Sequence, residues 1–177
     1  MKNTKNFICF YLIVFCLLTL AGCSNSQSPS VANEIRFSLE GITDVTISYD
    51  EEHITFYQAE GDELIIKEYM TKNKSSYYAN VKQSGDSIHI SEGGKPFFKS
   101  GFSRRIEVFL PASYMDALKI TTTDGDIDLS NVALQLTTLR IDSTAGTVDV
   151  KCAVASSIHL STTSGTLNLG SLEAESI

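Results

Sequence analysis

Apolar and polar residues alternate strictly in three C-terminal segments, each centred on a glycine. Relative to Gly125, Gly146 and Gly165, apolar residues fall seven and five positions before and two and four positions after. A period of two is typical of a β-strand with one buried face, and the Thr and Ser residues between the halves are typical of a tight turn. Each segment therefore predicts two short strands around a turn, in which the glycine supplies a positive φ.

The glycines recur after 21 and 19 residues. A unit of this length cannot bury its own apolar face, whereas stacked units can, so the repeat predicts a β-solenoid whose rungs pair in parallel. Four inward columns are then expected: Leu118/Leu139/Ile158, Ile120/Ile141/Leu160, Ile127/Val148/Leu167 and Leu129/Val150/Leu169. A meander sandwich is the alternative, and it would pair neighbouring strands antiparallel.

Strand-like segments also precede the repeats, at looser spacing. The clearest lie at 45–48, 54–57, 64–69, 87–91 and 105–111. We predict one all-β domain over residues 35–177, with regular rungs of about 19–21 residues from about residue 114 and a less regular β part before them. Ile177 falls at the first apolar position of a fourth unit. We therefore expect either further chain or a partner chain over the last strand edge.

The N-terminal segment has the features of a bacterial export signal. Lys2 and Lys5 precede an uncharged run over residues 7–20, which is too short to span a bilayer comfortably. Leu20-Ala21-Gly22-Cys23 resembles the lipobox of bacterial lipoproteins. We predict that residues 1–22 are removed, that Cys23 is acylated and that residues 23–34 form a small polar tether. An ordinary secretory signal with a chance cysteine is the alternative.

Net charge and cysteine content limit the partners and the internal cross-links that can be expected. The net charge is −7, and it becomes −9 without residues 1–22 because Lys2 and Lys5 leave and no acid does. Nucleic acid is therefore not an expected partner. Cys152 is the one cysteine left after signal removal and acylation, so no internal disulfide is expected, and we predict a small core residue there. The sequence carries no hydrolase or phosphate-loop motif, and we expect no cofactor.

The repeats resemble a known bacterial family. The segments that carry the resemblance are RRIEVFLP at 104–111, LKITTTDGDIDL, LRIDSTAGTVDV and IHLSTTSGTLNL. They are similar to the β-strand-repeat proteins labelled "putative adhesins" (domain of unknown function 4097), over roughly residues 35–177. The resemblance implies an envelope-associated β-solenoid, and it supplies no catalytic residues.

One loop stands out chemically in this acidic chain. Residues 93–105, GGKPFFKSGFSRR, contain no acid. The candidate surface-binding residues are Lys95, Phe97, Phe98, Lys99, Phe102, Arg104 and Arg105. Cations beside aromatic rings suit anionic headgroups or envelope polymers. The alternative is that the phenylalanines cap the core and the cations are solvated.

Two outward columns follow from the predicted stacking. Lys119, Arg140 and His159 form a basic column, and Asp128, Asp149 and Asn168 form an acidic one. Asp128 and Asp149 are weak candidates for a calcium site, since Ca²⁺ prefers oxygen ligands. No calcium-loop spacing accompanies them, which favours a solvated face instead.

Together these features predict a lipoprotein on the outer face of a bacterial cell membrane, or on an outer membrane. Its β-repeat domain would act without catalysis, as an adhesin-like binding module or scaffold. The expected partners are membrane lipid through acylated Cys23 and either an anionic envelope polymer or a protein. Two alternatives stay open: a polysaccharide-active enzyme using Asp128, Asp149 and Arg140, and an envelope-stress regulatory partner of a membrane protein.

Overall fold

The computed structural model describes residues 30–176, with side chains over 30–175. It contains eleven strands and one 3₁₀ turn, Ser75–Tyr77. The strands are β1 (Ser30–Ser38), β2 (Asp44–Ser48), β3 (His53–Ala59), β4 (Glu63–Met70), β5 (Asn80–Ser84), β6 (Ser87–Ser91), β7 (Arg104–Pro111), β8 (Ala117–Thr122), β9 (Ile127–Ser143), β10 (Thr147–Thr162) and β11 (Thr166–Ser176). The predicted signal peptide and Cys23 lie outside the described residues. Within residues 30–176, no helix has the length and apolar character needed to cross a bilayer.

All eleven strands belong to one curled sheet that encloses the core between two walls. The first wall contains β5, β6, β2 and β8, followed by the C-terminal parts of β9 and β10. The second wall contains β1, β4, β7 and β3, followed by the N-terminal parts of β9 and β10 and by β11. β9 and β10, of 17 and 16 residues, run through both walls and join them.

The four predicted columns are present in the predicted parallel register, and their members face the core except in the last strand, where Leu169 is 47% exposed. Leu118 pairs with Leu139 and Leu139 with Ile158, and the other three columns align in the same way. The all-β prediction is confirmed, and the antiparallel meander is wrong for β8 to β11. The parallel pattern does not extend through the whole sheet, because β1, β4 and β5 pair antiparallel.

The spatial order of the strands departs from their order in the chain. β2 and β3 lie between β6–β7 on one side and β8–β9 on the other. Val45 therefore pairs with both Ile88 and Leu118, and Ile54 with both Ile106 and Ile127. Since β2 and β3 have a neighbour on each side, their apolar residues are at the centre of the core, and Val45 and Ile54 are fully buried.

Two expectations about individual segments need correction. The tether was predicted to reach residue 34, but β1 begins at Ser30 and pairs with β4 from there. Cys152, predicted as a core residue, is half-buried. In β10 the buried positions are Val148 and Val150 and then Ala153 and Ala155, because the register shifts between Val150 and Cys152. Cys152 therefore does not face the core.

The repeated glycines owe their positions mainly to close stacking of the turns. Only Gly146 of the three has the predicted positive φ, at 89°. A Cβ atom on Gly125 would lie 2.2 Å from the carbonyl oxygen of Glu52, and one on Gly165 would lie 2.2 Å from that of Gly146. Each turn thus approaches the backbone of its neighbour more closely than any side chain permits.

Candidate functional site

The predicted binding loop is an enlarged corner of the stack. Residues 92–103 join β6 to β7 and cross from the first wall to the second. The equivalent corners of the neighbouring strand pairs are the short turns 49–52 and 123–126. The loop therefore projects beyond the corners that stack beside it.

The base of this loop is a buried charge cluster of Glu52, Glu92, Lys95 and Arg104. The Arg104 side chain is fully buried, and its Nη2 lies 2.8 Å from Glu52 Oε1 and 2.5 Å from Glu92 Oε1. Its Nη1 donates a hydrogen bond to the carbonyl oxygen of Tyr77. Lys95 Nζ lies 2.8 Å from Glu92 Oε1 and 3.4 Å from Glu52 Oε1. Two cations thus balance two carboxylates inside the fold.

Burial and pairing shift the two carboxyl groups in opposite directions. Burial raises the pKa of Glu52, but the hydrogen bond and positive charge of Arg104 outweigh it, so that pKa lies below its ordinary value. Burial, together with the neighbouring Glu52 carboxylate, holds the pKa of Glu92 above its ordinary value, although its hydrogen bond with Lys95 acts the other way. Of the two carboxyl groups, Glu52 is therefore the one whose ionised form is stabilised, and Arg104 provides that stabilisation.

The lowered pKa of Glu52 predicts a pH-dependent contribution to stability. We expect Glu52→Gln to lower the free energy of unfolding at pH 7 by about 1–3 kcal/mol, since a charged hydrogen bond to Arg104 is lost. The difference from wild type should hold above the ordinary pKa of 4.5 and vanish as pH falls through the lower pKa of the folded state. Urea unfolding between pH 3 and 7 measures it, with the exposed Glu60→Gln as control. A difference that grows on acidification would contradict this role.

The structure separates the predicted site residues from one another. Lys95 and Arg104 belong to the buried charge cluster, so Arg104 does not present its charge to the surface. Phe102 is half-buried, with its ring 5.4 Å from that of Tyr77. Arg105 lies on the second wall, 4.1 Å from the Tyr69 ring. Lys99 remains partly exposed and is paired with Glu51 at 2.6 Å.

Phe97 and Phe98 form the exposed tip of the loop. They are 93% and 77% exposed. Their rings pack edge to face with centroids 4.9 Å apart. The alternative that the phenylalanines cap the core is therefore wrong for these two. Below the tip, Gly93 and Gly94 lie against the 3₁₀ turn, where a Cβ on Gly93 would sit 2.0 Å from the Tyr78 carbonyl oxygen.

The acidic column on the second wall is formed as predicted, with Asp149 beside both Asp128 and Asn168. Asp149 Oδ1 accepts a hydrogen bond from Asn168 Nδ2 at 2.6 Å. Asp128 Oδ1 accepts one from the backbone N–H of Ser130. In the part of the chain that the structure describes, no three His, Cys, Asp or Glu residues are grouped so that they could hold a metal ion.

The basic column on the first wall is longer than the sequence indicated. Lys119, Arg140 and His159 are neighbours in register, and the same column continues through Thr46 to His89 and Lys82. We call Lys82, His89, Lys119, Arg140 and His159 the basic ladder. The sequence did not reveal Lys82 and His89 as members, because they join the column only through the antiparallel pairing of β5 with β6 and the position of β2 between β6 and β8. Asp142 accepts two hydrogen bonds from Arg140, at 2.7 and 2.8 Å.

These features define an all-β repeat protein with parallel rungs and an enlarged corner loop. The sequence profile of the Toastrack DUF4097 family matches residues 42–177, well over half of the chain, and the chain belongs to this family. A comparison with curated proteins gives no match.

One solved structure shares the fold at low sequence identity, and a second is more distantly similar. A "putative cell adhesion protein" from Clostridium sporogenes is 9% identical, with a TM-score of 0.51, over 82% of this chain and 99% of that chain. A "putative adhesin" from Parabacteroides distasonis is 14% identical, with a TM-score of 0.47, over 80% of this chain and 66% of that one. At these identities the likeness concerns the fold alone.

Proposed function

We propose that the protein is a lipid-anchored, non-enzymatic binding module of the bacterial cell envelope. Acylated Cys23 would hold it at the outer face of a membrane, and the stacked rungs would act as a solenoid-like scaffold for an adhesin-like surface. Family membership and the fold shared with a protein described as a cell adhesion protein support this proposal.

The observation that carries the proposal is the basic ladder. The column crosses six adjacent strands, in the spatial order β5, β6, β2, β8, β9 and β10. Adjacent strands lie about 4.8 Å apart, so the column extends over roughly 24 Å. The columns on either side are mainly hydroxyl-bearing, and their members are Ser84, Ser87, Asp44, Ala117, Thr138, Ser157 on one side and Asn80, Ser91, Ser48, Thr121, Asp142, Ser161 on the other. The ladder is a line of basic side chains, two of them lysines, between rows that are mainly hydroxyl-bearing. Such a surface suits a linear anionic polymer that bears phosphate or carboxylate groups along a polyol chain.

On the second wall the outward cations lie beside carboxylates, since Lys67 is opposite Glu107 and Arg105 is ion-paired with Glu107. The outward columns of this wall include Glu107 beside Thr55, and Asp128 beside Asp149. These carboxylates would repel a polyanion at close range. The contrast between the two walls favours the first wall as the ligand surface in a chain whose net charge is negative.

The geometry also bears on the polysaccharide-active alternative. Asp128 and Asp149 lie on the second wall, whereas Arg140 lies on the first. The three side chains therefore do not share one site. This separation favours a binding role over that enzyme, and a protein partner of the regulatory kind remains an outcome of the test below.

Removing two ladder lysines tests the ligand surface. We expect Lys82→Gln/Lys119→Gln to weaken binding to isolated anionic cell-wall polymer about tenfold at low salt, and added salt should reduce this difference. Neither lysine has an ion-pair partner within residues 30–175, so the change leaves no carboxylate unpaired.

A matched control keeps the net charge equal. Lys74→Gln/Lys151→Gln removes two cations away from the ladder and should change binding little. Equal losses in both double variants would show a response to net charge alone and would contradict the ladder. Wild-type protein that ignores the polymer but retains a protein from the envelope would favour the regulatory alternative.

A further inference from the structure

The loop tip exposes more apolar surface than a solvated loop requires. Phe97 and Phe98 are the two most exposed large apolar side chains among the described residues. They are adjacent in sequence and packed on each other, so they form one apolar point rather than scattered contacts. A convex pair of this kind inserts into a soft apolar layer more readily than it fills a flat surface.

Three lysines lie on or beside the loop that carries the apolar tip. Lys72 Nζ donates a hydrogen bond to the carbonyl oxygen of Ser100, at 2.9 Å, which places its charge beside the loop. Lys74 lies over the Tyr77 ring at 5.5 Å, and Lys99 is 57% exposed beside Glu51. Apolar side chains with lysines nearby complement the interface of an anionic bilayer, which attracts cations close to its surface.

The start of the domain lies at the same end of the sheet as this loop. Ser30, the first residue of β1, pairs with Met70 of β4, and Met70 pairs with Arg104 of β7. Two strand spacings, about 10 Å, therefore separate the backbone of Ser30 from that of Arg104, which directly follows the loop. Seven residues lead from Cys23 to Ser30, and they reach at most about 25 Å. An acyl anchor on Cys23 would hold this end of the domain close to the bilayer.

From this geometry we infer that Phe97 and Phe98 insert into the interface of the same bilayer that holds the Cys23 acyl chains. The inference rests on the lipid anchoring in the proposed function and adds a second point of attachment. One acyl tether leaves the domain free to rotate, whereas a tether together with the loop tip fixes which end faces the membrane.

The base of the loop is already ordered, so insertion of the tip loses little conformational entropy. The buried charge cluster fixes residues 92, 95 and 104, and Thr71 Oγ1 donates a hydrogen bond to the Gly101 carbonyl oxygen. β1 is joined to the segment that follows the 3₁₀ turn, because Glu68 accepts hydrogen bonds from Asn33 Nδ2 and from the Ala79 backbone N–H. The tip is therefore presented in place before it meets the lipid.

A single tryptophan can report the position of the tip, since the chain contains none. The processed, acylated protein carrying Phe97→Trp would be reconstituted in vesicles of mixed neutral and anionic lipid. We expect its emission to shift to shorter wavelength and to be quenched by nitroxide-labelled lipid. Met115→Trp is the matched control, because Met115 is also exposed and lies at the opposite corner, before β8. It should keep the emission of a water-exposed indole.

A second measurement separates the tip from the anchor. A chain that starts at Ser24 retains every described residue but lacks the acylation site. We expect its partitioning onto anionic vesicles to fall about tenfold or more with Phe97→Ser/Phe98→Ser. Its binding to cell-wall polymer through the ladder should not change. An anchored Phe97→Trp protein whose emission matches that of the Met115→Trp control would overturn the inference. Absence of acylation, seen by mass spectrometry, would instead contradict the lipid anchoring in the proposed function.

Discussion

Arg104→Ala is expected to lower the free energy of unfolding by about 3–5 kcal/mol. Arg104 is buried, and its Nη2 bridges Glu52 and Glu92. Its removal leaves two carboxylates in a poorly solvated site with only Lys95 between them. The loss also removes the hydrogen bond to the Tyr77 carbonyl oxygen, which joins the 3₁₀ turn to the loop. Chemical denaturation at neutral pH measures the effect.

Arg105→Ala is the matched control for this prediction. Arg105 is the next residue and carries the same charge, but its side chain is 42% exposed and paired with Glu107 on the second wall. We expect it to cost about 1 kcal/mol or less. The combination Glu52→Gln/Arg104→Ala should cost less than the two single changes added together, because the second change removes a partner that the first had already left unpaired. Equal effects of Arg104→Ala and Arg105→Ala would contradict the buried charge cluster.

Gly125→Ala should cost about 1–3 kcal/mol or more, although it adds one methyl group. The new Cβ would lie 2.2 Å from the Glu52 carbonyl oxygen and 2.8 Å from Thr122 Oγ1. Thr122 Oγ1 also accepts the hydrogen bond of the Gly125 N–H that closes this turn. The first contact is with backbone, so the two stacked turns must separate.

Gly41→Ala distinguishes this steric effect from backbone strain. Gly41 has a φ of 74° and open space where a Cβ would be placed. Alanine there should cost about 1–2 kcal/mol from conformation alone. If Gly125→Ala proves no more costly than Gly41→Ala in urea unfolding, close stacking is not the reason for the repeated glycines. Because the Glu52 turn is the one displaced, Gly125→Ala and Arg104→Ala should also be non-additive.

Local alternation was sufficient to predict the strands and the columns of the C-terminal repeats. A residue of a strand faces the side opposite to that of its neighbours, so Leu118 and Ile120 had to share a face. The constant positions of the apolar residues relative to each glycine then aligned Leu118 with Leu139 and Ile158 in parallel register. The same reasoning placed Lys119, Arg140 and His159 on the outside. These relations depend on near neighbours and on a recurring local pattern, which the sequence shows directly.

The candidate loop could be found from composition, but its chemistry could not. Residues 93–105 contain no acid, which suggested a free basic surface. The balancing carboxylates are Glu51, Glu52 and Glu92. Glu51 and Glu52 lie more than 40 residues earlier, and they reach the loop because β2 and β3 lie beside β6 and β7. Phe97 and Phe98 were therefore left as the exposed group, while most of the cations became internal or paired.

By itself, the sequence determined where the strands of the C-terminal repeats lie, which face most of their residues occupy and how these repeats stack. Only the tertiary structure decided which strand lies beside which in the first half of the domain. It thereby set the pairing of Arg104 with Glu52, the extension of the basic ladder to Lys82 and the position of Ser30 near the loop. The physical reason is that alternation fixes which side of a strand is buried but does not fix its neighbour. Any strand with a matching apolar face could pair beside it. The choice among such neighbours depends on long-range packing of the whole core.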